Sequence, residues 1–146
     1  MADEPWCYCA DGGGWEQTMR EVIPAWMQPI YDEYHFAPAV IDGGLLRCSG
    51  MIGFHPDLSV PDDPTVQFTL AFENLRGLLA EAGLTLADVT EMTTYHVGLR
   101  AHLHAFAAVK DTFVSAPYSA WTAVGVTELA SPGALVEIQV TARMRR

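Results

Sequence analysis

Residues 117–142 read PYSAWTAVGVTELASPGALVEIQVTA, and this stretch decides the fold. Two runs of strand-forming residues, 121–127 and 134–142, flank a turn marked by Pro132 and Gly133. Side chains in the second run alternate: Val136, Ile138 and Val140 face one way, and Leu135, Glu137, Gln139 and Thr141 the other. The apolar set predicts a core face. A carboxylate on the opposite face is costly to bury without a partner, so Glu137 is the first candidate for chemistry.

The rest of the chain predicts further strands and two long helices. Their expected positions are strands at 36–41, 45–49 and 89–97, a helix from Pro64 to about Ala82, and a helix at 101–114. Asp42-Gly43-Gly44 is a hairpin signal, Asp63 is a suitable helix cap, and Gly83 is a suitable helix stop. The order ββ-α-β-α-ββ predicts an α+β domain in which two helices cover one face of a mixed sheet.

Length and composition indicate one compact domain with an N-terminal extension. The chain has 146 residues, of which 50% are hydrophobic, enough for a sizeable core. We assign residues 1–34 to a Trp-rich arm, where Pro24 and Pro29 limit helix to short turns, and residues 35–146 to the domain. A sheet covered on one face leaves the other free, so we expect a homo-oligomer that buries it.

Charge and cysteine usage exclude several classes of function. A formal net charge of −10 disfavours nucleic acid as a partner. No segment approaches the roughly 20 apolar residues of a membrane span, and no signal peptide is visible, so we expect a cytoplasmic protein. Cys7, Cys9 and Cys48 are expected to be free thiols, and the histidines have no metal-binding spacing, so we predict no metal and no cofactor.

Four segments, in order, resemble the RidA/YjgF (Rid) family, also described as reactive-intermediate deaminases and as endoribonuclease L-PSP. They are GGLLRCSGMIG (43–53), FENLRGLLAEAGLTLADVTEMTTY (72–95), FAAVKDTF (106–113) and AVGVTELASPGALVEIQVTA (123–142). The resemblance runs from about Phe36 to Ala142, whereas residues 1–30 match nothing in the usual core of the family.

The resemblance implies a chorismate-mutase-like fold, a homotrimer and three ligand clefts between subunits. The implied reaction is hydrolysis of an enamine or imine to a keto acid and ammonia, without a cofactor. In that family an arginine near the start of the penultimate strand grips the substrate carboxylate, and a glutamate on the last strand positions or activates water.

The family's site residues are carried over only in part. Glu137 matches the glutamate, and Gly50 matches the glycine of the SGQ-like motif, whose glutamine is replaced by Met51. Phe36 stands in place of a tyrosine and Lys110 in place of a helix asparagine. Trp121 stands in place of the arginine, so this chain resembles a divergent member that lacks the substrate-binding arginine.

The loss of that arginine changes the expected ligand. A charged hydrogen bond of the kind it makes is worth about 1.5–3 kcal/mol, and Trp121 supplies a stacking surface instead. We therefore expect a flatter or less acidic substrate, held by Trp121 and Phe36. Lys110 restores a positive charge if it points into the cleft; otherwise it is a solvent-exposed helix lysine. Tyr118 and His35 are further candidates for the cleft.

Two hypotheses remain open. In the first, the chain is a Rid-like hydrolase, deaminase or isomerase that acts on a conjugated small molecule, and Glu137 activates water or shuttles a proton. Backbone N–H groups near Gly50 then orient the polar end of the substrate. In the second, the chain is a trimer that binds small metabolites in the same clefts without turnover, and Glu137 is a structural carboxylate.

Overall fold

The computed structural model describes residues 19–145. The predictions about the Trp-rich segment before residue 19, including Cys7 and Cys9, lie outside these residues. The strands are β1 (Arg20–Val22), β2 (Ala39–Asp42), β3 (Leu45–Cys48), β4 (Val89–Val97), β5 (Ala120–Val126) and β6 (Val136–Arg143). The helices are α1 (Gln28–Tyr34), α2 (Pro64–Glu81) and α3 (Leu99–Phe113), with single 3₁₀ turns at Ala25–Met27 and Leu86–Asp88.

The six strands form one mixed sheet in the order β1-β2-β3-β6-β4-β5. Neighbouring strands are antiparallel except β4 and β5, which are parallel. The strands on either side of the Pro132-Gly133 turn are therefore not hairpin partners, because β4 lies between them. The connection from β4 to β5 runs through α3, as a parallel pair requires. The predicted α+β fold with a mixed sheet packed on two helices is confirmed.

The ends of α2 follow the local chemistry of the sequence. The Asp63 carboxylate accepts a hydrogen bond from the Val66 N–H at 3.0 Å, and Pro64 occupies the first turn. Gly83 follows the helix with φ of +72°, a conformation that suits glycine. The face that α2 turns to the sheet is buried and consists of Gln67, Phe68, Ala71, Phe72, Leu75, Leu78 and Leu79.

Strand β6 divides its side chains between two environments, as its alternation predicts. Val136 and Ile138 are fully buried and Val140 is 2% exposed, within the core formed with α2 and α3. Glu137 and Thr141 are half-buried on the other face, and Gln139 is exposed. Helices α2 and α3 thus cover one face of the central strands, and the second face carries the polar set.

The part of the N-terminal arm that the structure describes joins the sheet. Strand β1, which the sequence did not predict, pairs with β2 so that Glu21 lies opposite Val40. The 3₁₀ turn and α1 follow it, and Met27 is 3% exposed in the core. The boundary at residue 34 stays a prediction. None of the helices in residues 19–145 is long and apolar enough to cross a membrane.

Candidate functional site

The Glu137 carboxylate lies directly against Gly50. A Cβ atom built on Gly50 would come within 1.7 Å of Glu137 Oε1 and 2.4 Å of its carboxyl carbon. No side chain larger than hydrogen fits at residue 50 unless the carboxylate moves. The structure therefore brings together the two residues, Glu137 and Gly50, at which the chain matches the family motif.

An irregularity between β3 and β6 places Gly50 there. The ladder is regular as far as Arg47, which lies opposite Thr141, and then Val140 N–H donates to Cys48 Sγ (N···S 3.1 Å). Met51 resumes pairing with Ile138 through backbone hydrogen bonds of 2.8 and 2.9 Å. The two residues between, Ser49 and Gly50, leave the ladder with β6, and Gly50 lies against the Glu137 side chain, as glycine at a strand irregularity permits.

Burial sets the electrostatics of Glu137. Desolvation raises the pKa of its carboxyl above the ordinary glutamate range. Among residues 19–145, no ion pair or hydrogen bond to this carboxylate is present. Tyr95 lies opposite Glu137 on β4, but its hydroxyl donates to Gln139 Oε1 at 3.4 Å instead. Glu137 is thus a partly desolvated carboxyl group with free acceptor atoms, a state that suits a general acid or base.

Three other candidates meet in a groove of about 920 Å³ on the helix side of the sheet. Trp121, Lys110 and Tyr118 line it, together with the C-terminal parts of α2 and α3 and the segment that leads into β4. Tyr118 is 73% exposed at the rim. We call this feature the Trp121 groove.

Trp121 is held on several sides within the groove. Its indole Nε1–H donates to Thr94 Oγ1 at 2.9 Å, and its ring lies 6.0 Å from that of Phe106. Lys110 Nζ lies 4.9 Å from the Trp121 ring centroid and pairs with Asp111 at 2.8 Å. The Lys110 side chain is only 13% exposed, so it lies over the indole and not in solvent.

Trp121 and Glu137 lie on opposite faces of the sheet. In the sheet register, Trp121 lies opposite Met92 of β4, and Met92 faces the core together with Val140. Glu137 lies opposite Tyr95, which is three residues after Met92 in β4. An odd step along a strand changes the face. One chain therefore does not place the two side chains in one cleft, and a site that uses both needs two copies.

His35 and Phe36 lie in a third place. They line a smaller pocket of about 400 Å³ with Glu21, Tyr31 and Asp32. His35 ends α1 in the left-handed conformation with φ of +56°, and Phe36 is 39% exposed. The predicted site residues thus lie on three surfaces of one chain. Glu137 and Gly50 are together on the polar face of β6, Trp121, Lys110 and Tyr118 share the Trp121 groove, and His35 and Phe36 lie beside α1.

Sequence reasoning missed Thr94 and His96 as neighbours of the groove. Alternation along residues 89–97 places both on one face with Met92, but nothing in the sequence indicates that Trp121 packs against that face. The contact depends on the parallel pairing of β4 with β5. In residues 19–145, no group of three His, Cys, Asp or Glu side chains is arranged to hold a metal ion.

Comparison with known proteins agrees with the residue pattern. The family model described as endoribonuclease L-PSP matches residues 27–144. The chain belongs to this family, the RidA/YjgF family. A curated member, the RutC family protein YjgH of Escherichia coli K12, is 40% identical over 124 residues, which cover 84% of this chain and 93% of that protein.

Solved structures of RidA/YjgF proteins share the fold. A structure of protein YjgH is 38% identical with a TM-score of 0.80, and the match covers 87% of this chain and 97% of that one. RidA from the Antarctic bacterium Psychrobacter sp. PAMC 21119 is 27% identical with a TM-score of 0.77, covering 86% and 100%. The family match begins at residue 27, so it includes α1.

Proposed function

We propose that this RidA/YjgF protein is a Rid-like hydrolase that converts an enamine or imine to a carbonyl compound and ammonia. The observation that carries the proposal is the Glu137 carboxyl group, seated on Gly50 with a raised pKa and no protein partner in residues 19–145. A carboxylate in this state accepts a proton from water as the water attacks the C=N carbon. It then returns the proton to the departing nitrogen.

The substrate class follows from the Trp121 groove. An indole surface takes a flat apolar or conjugated group by stacking. The single ammonium of Lys110 is already paired with Asp111, so a ligand anion competes with that carboxylate for it. We therefore propose an apolar or aromatic-derived imine or enamine in preference to a small imino acid.

The complete site requires a homo-oligomer, which we propose to be a trimer. The polar face of β6 carries the half-buried Glu137 and the exposed Gln139, whereas α2 and α3 share a core with its other face. If the edge of the Trp121 groove of one copy packs against this face of a second copy, Trp121 of the first copy meets Glu137 of the second. A cytoplasmic location stays a prediction.

The test is ammonia release from freshly generated imines of phenylalanine, leucine and alanine, and from 2-aminomuconate. We expect turnover of the aromatic or conjugated substrates. General acid–base catalysis contributes about 10²–10⁴-fold, so Glu137→Gln, which keeps the size of the side chain, should lower kcat/KM by about that factor. Turnover that Glu137→Gln leaves unchanged would refute the role of this carboxyl group.

A mixing experiment tests the shared site. The variants Glu137→Gln and Trp121→Ala are each expected to be weakly active, and unfolding and refolding them together should recover part of the activity through mixed sites. Light scattering must give a mass above that of one chain. A monomer mass, or no recovery in a mixture shown to contain mixed oligomers, would contradict the two-copy site.

A second candidate function is supported by Trp121 itself. It stands where the family's arginine is expected, so the clefts are also suited to a trimer that binds apolar metabolites without turnover. Binding of the same compounds with no ammonia release would favour this alternative.

A further inference from the structure

His96 is a buried imidazole with no obvious structural need. It is fully buried on β4, and its ring meets that of Phe106 edge-on at 4.7 Å. Its Nδ1 is the single buried side-chain nitrogen or oxygen atom in residues 19–145 that has no hydrogen-bond partner. Buried polar groups are normally paired, so an exception calls for an explanation.

The other imidazole nitrogen, Nε2, belongs to a series of hydrogen bonds that ends in the Trp121 groove. His96 Nε2 lies 2.8 Å from Thr94 Oγ1, and that oxygen lies 2.9 Å from Trp121 Nε1. Thr94, like His96, is fully buried. One hydroxyl group thus connects the indole that lines the groove to an imidazole inside the core.

The donors and acceptors determine where the hydrogen atoms lie in this series of hydrogen bonds. An indole N–H only donates, so Thr94 Oγ1 accepts from Trp121. The Thr94 hydroxyl hydrogen is then free to donate to His96 Nε2, which must be unprotonated. Burial of the ring, and next the electrostatic effect of His102, lower the pKa of His96, which favours its neutral form. The arrangement leaves a single unsatisfied group, the Nδ1–H, whereas the other tautomer leaves two, the Thr94 O–H and the bare Nδ1.

The residues of β5 that pair with Thr94 and His96 are small. Ala123 lies opposite Thr94 and Gly125 lies opposite His96 in the parallel register. At Gly125 the neighbouring contact is Leu99 of α3, which a Cβ atom would meet at 3.6 Å. The indole of Trp121 is therefore oriented by a hydrogen bond at its nitrogen, by Phe106 beside it, and by Lys110 over its ring.

We propose that Thr94 and His96 are positioning residues that orient the Trp121 indole and, through it, set the preference of the groove for flat ligands. The inference rests on the proposed function in that Trp121 lines the ligand site. His96 does not contact the ligand; it acts by accepting the Thr94 hydroxyl hydrogen, which leaves Thr94 Oγ1 an acceptor for the indole.

The first test needs no substrate. Nitrogen-15 NMR of the folded protein should show His96 as the neutral tautomer with hydrogen on Nδ1 and none on Nε2. The indole N–H signal of Trp121, assigned by its loss in Trp121→Phe, should shift in Thr94→Val and return in Thr94→Ser. A hydrogen on His96 Nε2, or an unshifted indole signal in Thr94→Val, would overturn the proposed series of hydrogen bonds.

The second test uses phenylpyruvate, the aromatic keto acid expected from the phenylalanine-derived imine. Thr94→Val keeps the shape of the side chain but removes both hydrogen bonds of the Thr94 hydroxyl, to Trp121 and to His96. The lost bond to the Trp121 indole should raise the Kd about 3–10-fold. Thr94→Ser should restore the Kd, and Thr94→Val should have no further effect in a Trp121→Phe background.

The two proposals fail separately. An unchanged Kd in Thr94→Val, or no binding of phenylpyruvate to the wild type, would overturn the positioning role. If no ammonia is released but the Kd values follow the expected pattern, catalysis is refuted and the positioning role is supported. With turnover present, Thr94→Val should raise KM and leave kcat within about twofold, because the Thr94 hydroxyl bonds Trp121 and His96 and not the Glu137 carboxyl group. An equal loss of kcat would indicate a general structural defect and count against the positioning role.

Discussion

Substitution of Gly50 by alanine separates function from stability at the Glu137 site. A Cβ atom there would lie 1.7 Å from Glu137 Oε1, whereas ordinary contacts begin at 3.4 Å, so the oxygen must move by about 1.7 Å. The three atoms nearest to the new Cβ all belong to the Glu137 side chain, so a rotation of that side chain relieves the closest contacts. A changed side-chain torsion costs about 0.5–1.5 kcal/mol. Alanine at a compatible glycine returns about 0.4–1 kcal/mol through the unfolded state.

Gly50→Ala should therefore fold with a stability within about 1 kcal/mol of wild type. Its displaced carboxylate should show a pKa closer to the ordinary glutamate value, because it moves toward solvent. Under the proposed function, kcat/KM should fall by about 100-fold or more. The assays are carboxyl carbon-13 NMR titration, thermal unfolding and ammonia release.

Gly53→Ala is the matched control. A Cβ at residue 53 would lie 2.0 Å from the backbone oxygen of Gln67 in α2, which no side-chain rotation relieves. Overpacking of this kind costs about 1–3 kcal/mol, or a fall of about 4–12 °C in Tm. A Gly50→Ala variant that keeps both the raised pKa of Glu137 and full activity would refute the reasoning. A Gly50→Ala variant as unstable as Gly53→Ala would refute it too.

Two further predictions concern stability. Gln67 is 2% exposed, and its side chain forms hydrogen bonds with Pro61 O, Gly133 O and Leu135 N–H. Gln67→Leu should therefore lower the free energy of unfolding, measured in urea, by about 2–4 kcal/mol. A smaller loss would mean that water replaces these hydrogen bonds. Glu137→Gln should be more stable than wild type at pH 7, because burial of the charged carboxylate opposes folding above its raised pKa. The difference should vanish below the ordinary pKa of 4.5, and a gain that persists there would not be electrostatic.

Much of the fold was predictable because its signals are local. Residues 89–97 coincide with β4, and α2 begins after Asp63 and ends before Gly83, as capping chemistry requires. Helix α3 begins at Leu99, two residues earlier than predicted, because Gly98 adopts φ of +68° and turns the chain directly from β4 into the helix. Strand β1 has three residues and no alternation of its own, so its existence depends on the edge of β2.

The candidate site was predictable in its residues but not in its geometry. Alternation shows which side chains share a face within β6 or within β5. It does not show how the two strands relate, because that depends on the register of each with β4. The opposite placement of Glu137 and Trp121 therefore had no signal in the sequence. The contact of Lys110 with Trp121 and the link from Thr94 to His96 depend on the same register.

The bond from Val140 N–H to Cys48 Sγ has a consequence for how the protein opens. Cys48 is 3% exposed, and burial raises its pKa to about 11, so the thiol stays protonated and closed to reagents while β3 and β6 remain together. Alkylation of Cys48 then measures how often these two strands separate. Ser49 and Gly50 follow Cys48 directly in the sequence. The alkylation rate of Cys48 therefore also reports how often the segment that packs against Glu137 opens.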